Sequence, residues 1–409
     1  MQDKNALSRA FLYGLAMDPA SGLIFLVAYA LSMFATALWS MAYRGFAKPY
    51  FFRRDPEAVH DRMTNIGSFL GSHIVTRKAA EACFHYRHPA LEQNILGIRF
   101  ANPIGLAAGF DKDARLTDIM AAIGFGFEEI GSVTGEPCEG NPKPRLWRLP
   151  KSRGILVHYG LKNEGCEVIA HRLRNRRLRF PVGTSIAKTN SPATVDIPSG
   201  IRDYAKAFRA FSAIGDYFTV NISCPNAYGG ELFSDPARLD ALLAELDAIP
   251  TQKPVFLKLP ADIGENGLRE IVSVSRRHRL HGFIASNLTK RRDLPGLYRD
   301  EIAGHDKGGI SGVVLRDISN NLVSRLYVLA GGEFVIVGCG GVFSAEDAYE
   351  KIRRGASLVQ LVTGLIYNGP QHIGEINRGL ARLLQRDGFA SVREAVGIDV
   401  RNASIARSA

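Results

Sequence analysis

Two kinds of apolar pattern alternate along most of the chain. Short runs dominated by apolar and small residues, without strict alternation, occur at Ile104–Ala108, Phe127–Thr134, Val182–Ala187, Tyr217–Ser223, Val255–Leu259, Gly282–Asn287, Phe334–Gly338 and Leu358–Thr363. Continuous rather than alternating apolar character is what parallel strands buried on both faces require. Between them lie longer stretches with helical periodicity, such as Leu239–Ile249, Gly267–Arg279 and Ala345–Arg354. Eight strand–helix units over about 280 residues predict an α/β fold of the (β/α)8 barrel type. A doubly wound open sheet needs fewer strands and a glycine fingerprint after the first, which this chain lacks.

A third pattern precedes the barrel. From Pro19 to Tyr43 there is no charged residue, a run of 25 positions. About 20 apolar residues suffice for a helix to cross a bilayer core, so the run predicts a membrane anchor. Arg44, Lys48, Arg53 and Arg54 follow it whereas Lys4 and Arg9 precede it. That bias puts the bulk of the chain on the cytoplasmic side of a cell inner membrane. A cleaved signal peptide ending near Ala35-Thr36-Ala37 fits less well, because its apolar core would be unusually long. Residues 51–87 read as a helical hairpin with a basic amphipathic face, opened by an Asp55 cap and Pro56 at the first helical position. The expected organisation is an anchor over 1–45, a helical extension over 46–93, the barrel over 94–387 and a tail over 388–409.

Composition narrows the function. The 409 residues hold 51 Lys+Arg against 40 Asp+Glu, giving a net charge of +11. A basic protein invites a nucleic-acid reading, and His171–Arg179 is its densest basic run. That run alternates with Leu at helical spacing and lacks aromatic platforms, so it reads as a solvated barrel helix. Five cysteines without a CxxC pair exclude a disulfide scaffold, and no cluster has metal-ligand spacing.

The predicted strand ends carry the chemistry, as barrels place their active sites there. Gly340 and Gly341, the helix start near Ser344, and Thr363-Gly364 form a candidate phosphate site, with Gly308–Gly312 as a second flexible backbone loop. Lys112 and Lys258 end the first and fifth strands, pointing positive charge into the mouth. Asn221-Ile222-Ser223-Cys224-Pro225-Asn226 leaves the fourth strand with amides around a cysteine, a set able to hold a planar polar ligand beside a proton acceptor. The segment 227–235 is a candidate lid. Cys83, Cys138, Cys166 and Cys339 read as structural.

These stretches, NPIGLAAGFDKD (102–113), EIGSVTGEPCEGNPKPRLWRL (129–149), NISCPNAYGG (221–230), LKLPAD (257–262), GGISGVVL (308–315) and VGCGGVFSAEDAYEKIRRGASLVQLVTG (337–364), resemble the dihydroorotate dehydrogenase family. DPEAVH (55–60) after an apolar N-terminus is similar to the entry of its membrane-associated, quinone-reducing class. The resemblance implies FMN at the barrel mouth. Its phosphate would lie on Gly312, Gly341 and Thr363, and its ring on Ala108, Gly109, Lys258 and Ser286, with Lys112, Ser132, Ser185, Asn221 and Val362 completing the contacts. Dihydroorotate would be held by Lys112, Asn221, Asn226 and Asn287, with Cys224 as the base, and a membrane quinone would take the electrons. Membrane lipids are the implied surface, and no nucleic acid or metal is implied.

The chain departs from the family at identifiable positions. Cys224 stands where the membrane-associated class carries Ser. Val157 replaces a substrate-binding Asn, Ser185 an Asn near the flavin, and Ala227 and Leu288 replace threonines beside the substrate. Two further readings follow: an FMN-dependent oxidoreductase acting on another cyclic substrate, and a non-catalytic flavin-binding membrane protein.

Overall fold

A computed structural model describes residues 34 and 36–408 apart from Pro225, Ala227 and Glu231. Its centre is a closed barrel of eight parallel strands, which we number β1 (Ile104–Leu106), β2 (Phe127–Val133), β3 (Val182–Ile186), β4 (Tyr217–Asn221), β5 (Val255–Lys258), β6 (Gly282–Ala285), β7 (Val335–Cys339) and β8 (Leu358–Leu361). Each strand pairs with its sequence neighbours, and β8 closes on β1 through Val359–Ile104 and Leu361–Leu106. All eight fall on the predicted apolar runs. A helix follows each strand, for example Ile197–Ala210 after β3 and Ala345–Arg353 after β7.

The barrel interior is filled in layers. Phe127, Tyr217, Phe256, Ile284, Val337 and Leu358 form an apolar floor, plugged from below by Phe100 of an antiparallel hairpin (Gln93–Ile95 with Ile98–Phe100). Phe100 and Phe127 meet edge to face at 5.3 Å. Above the floor the interior turns polar. Buried Glu129 Oε2 accepts hydrogen bonds from Thr219 Oγ1 (2.8 Å) and Gln360 Nε2 (3.0 Å), while Glu129 Oε1 and Gln360 Oε1 make no hydrogen bond with a described residue.

A three-stranded antiparallel sheet covers one side of the mouth: Leu146–Leu149 and Gly154–Val157 from the β2 connection, and Gly309–Gly312 from the β6 connection. The Gly308–Gly312 segment, expected as a flexible loop, is thus mostly a paired strand. Gly154–Val157, about 150 residues earlier, supplies its ladder, which local glycine content does not reveal.

The extension forms two helices, α1 (Pro56–Ser72) and α2 (Ile74–Phe84). Asp55 Oδ1 caps α1 by accepting from Ala58 N at 2.8 Å, and Pro56 occupies its first turn, as the sequence predicts. A Cβ at Gly67 would lie 2.7 Å from Leu116 Cδ2, so that glycine lets α1 close onto the barrel. Residues 36–42 are helical, and Trp39 meets Phe84 of α2 at 5.6 Å. Tyr43 Oη then donates to Ile366 O at 2.6 Å. The 25-residue uncharged run lies mostly outside the described residues. Among the described residues no helix is long and apolar enough to cross a membrane. Beyond Asp387, the segment predicted as a tail continues as helices Val392–Ala395 and Ile398–Ser408, with Val392 and Ala395 buried and Arg353 paired to Asp399 at 2.5 Å.

Candidate active site

The C-terminal strand ends, the covering sheet and α1 enclose one cavity of about 1360 Å³, its open mouth included. It gathers nearly every residue singled out in the sequence: Ala108, Gly109, Lys112, Ser132, Asn221, Cys224, Asn226, Lys258, Ser286, Asn287, Gly312, Gly341, Val362 and Thr363 all line it. Ser185 does not. Its side chain sits behind the wall, where its hydroxyl meets Ser132 Oγ at 2.8 Å, so its contact is with Ser132 rather than with the cavity.

The amides are tied into one network. Asn221 Nδ2 donates to Ser132 Oγ (2.8 Å), while Asn221 Oδ1 accepts from Ser223 Oγ (2.9 Å). Asn287 Nδ2 donates to Ser223 O (2.8 Å) and lies 3.0 Å from Ser223 Oγ, which joins the fourth and sixth strand ends. Asn226 Nδ2 donates to Val157 O at 3.0 Å, so Val157 supports this amide through its backbone although its side chain is apolar. Networks of this kind fix side-chain orientation before a ligand arrives.

Two lysines bring positive charge. Lys258 is 4 % exposed, lines the cavity, and its ammonium makes no hydrogen bond or ion pair with a described residue. A buried cation of this kind requires an acceptor supplied by a ligand. Lys112 Nζ lies 4.1 Å from the Tyr159 ring centroid, and the Arg145 guanidinium is 4.9 Å from the same ring. Burial pulls the Lys112 ammonium down to about 8, opposed by Asp61 and reinforced by Lys162.

One end of the cavity suits a phosphate. Gly312 (φ +111°) and Gly341 (φ +71°) hold backbone conformations that other residues resist. A Cβ on Gly312 would lie 2.4 Å from Arg153 O, and one on Gly341 2.4 Å from Arg316 Cα. Beside them the hydroxyls of Ser311 and Thr363 meet at 2.8 Å. Leu146, Ile155, Phe343 and Ile366 make the remaining wall largely apolar.

His60, Tyr159 and Leu161 also line the cavity but were not among the sequence candidates. His60 belongs to α1 and meets Phe110 edge to face at 5.0 Å. Burial, with repulsion from Lys112 and Lys162, pushes its imidazole down to about 3, so it is neutral at pH 7. DPEAVH marked the helix, but which face α1 turns inward is set by its packing on the barrel. Of the other departures, Leu288 lines the cavity, while Ala227 and part of the segment 227–235 lie outside the described residues.

A closed barrel with an anion cradle, two mouth lysines and a cysteine among amides defines a cofactor-dependent barrel enzyme. The profile of the family described as dihydroorotate dehydrogenase matches residues 90–384. The chain is 39 % identical over 353 residues to the dihydroorotate dehydrogenase (quinone) of Natronomonas pharaonis, covering 86 % of this chain and 98 % of that one. It is 40 % identical over 358 residues to the protein of the same description in Parvibaculum lavamentivorans, covering 87 % and 98 %. Among solved structures, DHODH from Eimeria tenella in complex with ferulenol superposes with a TM-score of 0.76 at 29 % identity, covering 84 % of this chain and 96 % of that one. The chain belongs to the dihydroorotate dehydrogenase family, whose cofactor is FMN. The glycine cradle beside Thr363 fits the FMN phosphate, and the unpartnered Lys258 ammonium fits the electron-rich edge of a flavin ring.

Proposed function

We propose that this chain oxidises dihydroorotate to orotate in pyrimidine synthesis, with a membrane quinone as final acceptor. The observation that carries the reading is the meeting of Lys112, Asn221, Asn226, Asn287 and Cys224 in one cavity with the anion cradle. Bound FMN would supply the hydride acceptor. Gly312, Gly341 and Thr363 would hold its phosphate, and Ala108, Gly109, Lys258 and Ser286 its ring, with Ser132 and Val362 alongside. Lys112 would neutralise the substrate carboxylate, and the amides of Asn221, Asn226 and Asn287 would match the donors and acceptors of its ring. Cys224, as thiolate, would take the proton from the ring carbon next to the one that loses hydride.

The test is anaerobic bleaching of the bound flavin by dihydroorotate, followed against pH. Cys224→Ser should keep its flavin and shift the pH profile of reduction, because a hydroxyl ionises far above a thiol. An unchanged profile would remove Cys224 as the base.

A second reading has one observation in its favour. Val157, Leu161 and Leu288 bring apolar side chains to the wall that also carries Asn226 and Asn287. A cyclic substrate with an apolar substituent would suit that wall, and the bleaching experiment with dihydroorotate separates the two. The non-catalytic reading is disfavoured by the intact set of polar strand ends.

Attachment to lipid, with the barrel on the cytoplasmic side of the inner membrane, belongs to the same proposal. Phe34, Leu38, Met41, Phe46, Phe69, Ile74 and Val75 are all more than half exposed, and Arg44, Lys48, Arg53, Arg54, Arg77 and Lys78 lie among them in the chain. An apolar surface in a basic setting supports docking on anionic lipid.

A further inference from the structure

Cys224 lines two cavities. Besides the main one, it borders a smaller space of about 260 Å³ on its other side, and Leu161 and Asn221 share that dividing wall. Lys188, just beyond β3, and Tyr204, on the helix Ile197–Ala210, also line the smaller space. Lys188 is 4 % exposed. Its ammonium donates to Tyr228 O at 2.8 Å and lies 3.4 Å from Thr194 Oγ1. Among the described residues both partners of its side chain are neutral oxygens, and no ion pair to a carboxylate is formed. The neighbouring Asp203 is engaged elsewhere: Oδ2 accepts from Thr189 N (2.6 Å) and Gly135 N (3.3 Å), and Oδ1 from Thr189 Oγ1 (2.7 Å).

We propose that Lys188 is a positioning residue for Cys224, its buried ammonium holding the cysteine as thiolate from the side opposite the substrate. The proposal rests on the reading of Cys224 as proton acceptor. On ionisation the thiol proton leaves to solvent, and the cation that stays behind is Lys188. Its two neutral acceptors orient the ammonium without neutralising it, which leaves its charge for the sulfur. A cation held beside a cysteine is a general means of lowering its pKa. Burial pushes Lys188 itself down, while Asp203, Cys224 and Cys138 pull it back up, as mutual stabilisation of ammonium and thiolate requires.

Other described groups lie around Cys224. Tyr204 Oη donates to Asn221 O at 2.8 Å, and burial pushes the phenol far up, so it stays neutral. Cys138 Sγ points to Gly160 O at 3.4 Å. From the main cavity come Lys112, Lys258 and neutral His60, and His158 meets Asn226 Oδ1 at 3.2 Å. Lys112 and Lys258 face the cofactor and substrate space, so among the described residues lining these two cavities Lys188 is the cation on the protein side of the sulfur.

The test is alkylation of Cys224 by iodoacetamide in the flavin-loaded enzyme, followed against pH by mass mapping, with Cys224→Ala as blank. Lys188→Gln retains a donor for Tyr228 O but loses the charge, and should move the alkylation inflection up by about one unit or more. Lys188→Arg should restore it. An inflection unmoved in Lys188→Gln overturns the proposal. If Lys188→Gln does not retain flavin, the native enzyme decides: an inflection below about 8.5 supports the pairing, and one at or above that ordinary thiol value overturns it. The pH profile of anaerobic flavin reduction separates the two claims. An alkylation shift that flavin reduction does not follow supports the pairing and defeats the base assignment. Loss of reduction in Cys224→Ala with neither profile moved by Lys188→Gln defeats the pairing and leaves the base assignment standing.

Discussion

Glu57 and Arg145 form a bidentate ion pair, Nη2 to Oε1 at 2.8 Å and Nε to Oε2 at 3.1 Å, with both side chains 5 % exposed. The pair joins the first turn of α1 to the connection that covers the barrel mouth. Arg145 also donates to Glu139 O (2.6 Å) and Asn141 O (2.7 Å), and Asn141 Nδ2 donates to Asn226 O at 3.1 Å. A carboxylate of the extension therefore organises a loop that touches a candidate substrate residue.

Removing that carboxylate should be costly in two ways. Glu57→Gln leaves Arg145 buried with Lys143 and Lys162 close by, and breaking such a pair costs about 3–5 kcal/mol. Burial works to raise the Glu57 carboxyl, but Arg145 and Lys143 pull it down to about 2. A depressed carboxylate stabilises the fold above its unfolded pKa, and that contribution disappears as pH falls toward 2. Native protein should lose stability relative to Glu57→Gln between about pH 5 and 2. Urea denaturation at pH 7 and pH 3 measures both effects.

The phosphate cradle makes a separate prediction. In Gly341→Ala the new Cβ would fall 2.4 Å from backbone atoms of Arg316 at a positive φ. A left-handed conformation alone costs about 1–2 kcal/mol for a residue with a side chain. FMN occupancy, read as flavin absorbance per chain, should fall at least about tenfold at limiting FMN. Gly230→Ala provides the contrast: its φ is also positive, but among the described residues no atom beyond its chain neighbours lies within 4 Å of the added carbon, so occupancy should be kept.

How much of this was legible before the structure follows from the range of each interaction. The strands were visible because burial on both faces leaves a local signature in Val182–Ile186 or Val335–Cys339. The mouth residues were visible because they follow those strands directly. Gly308–Gly312 reads as a loop in sequence because the strand character of Gly309–Gly312 comes from Gly154–Val157, a distant partner. The family resemblance puts Ser185 near the flavin, whereas its hydroxyl is taken by Ser132 and it does not line the cavity. Glu57, His60 and Lys188 act through contacts between separate elements, and nothing in their own neighbourhoods announces that.

Lys112 sets the direction of a pH effect on ligand affinity. Its ammonium, lowered to about 8 chiefly by burial, is the charge proposed to face the substrate carboxylate. Below that value the lysine is cationic and an anionic acid is held, and above it the attraction is lost. The dissociation constant of orotate should rise as pH passes from about 7 to 9, by up to tenfold per unit at the upper end. In Lys112→Met, binding should be weak and flat across the same range. Equilibrium titration of flavin absorbance measures both, and a flat native profile would assign the carboxylate to another group.

The extension carries the last prediction. Phe69 and Val75, 62 % and 75 % exposed, lie on α1 and α2 and do not line the cavity. If this surface lies on anionic lipid, burying each apolar side chain contributes about 1.5–3 kcal/mol, and each nearby basic residue about 1 kcal/mol. Phe69→Glu with Val75→Glu in the full chain should therefore weaken co-sedimentation with phosphatidylserine-containing vesicles while flavin content is kept. Deleting residues 1–44 tests the other candidate, the uncharged run. Loss of binding in the deletion with none in the double substitution would place attachment in that run, and the reverse would place it in the helical pair. Raised salt should release a helical-pair attachment more readily, because its basic residues are screened over about 10 Å at 0.1 M ionic strength.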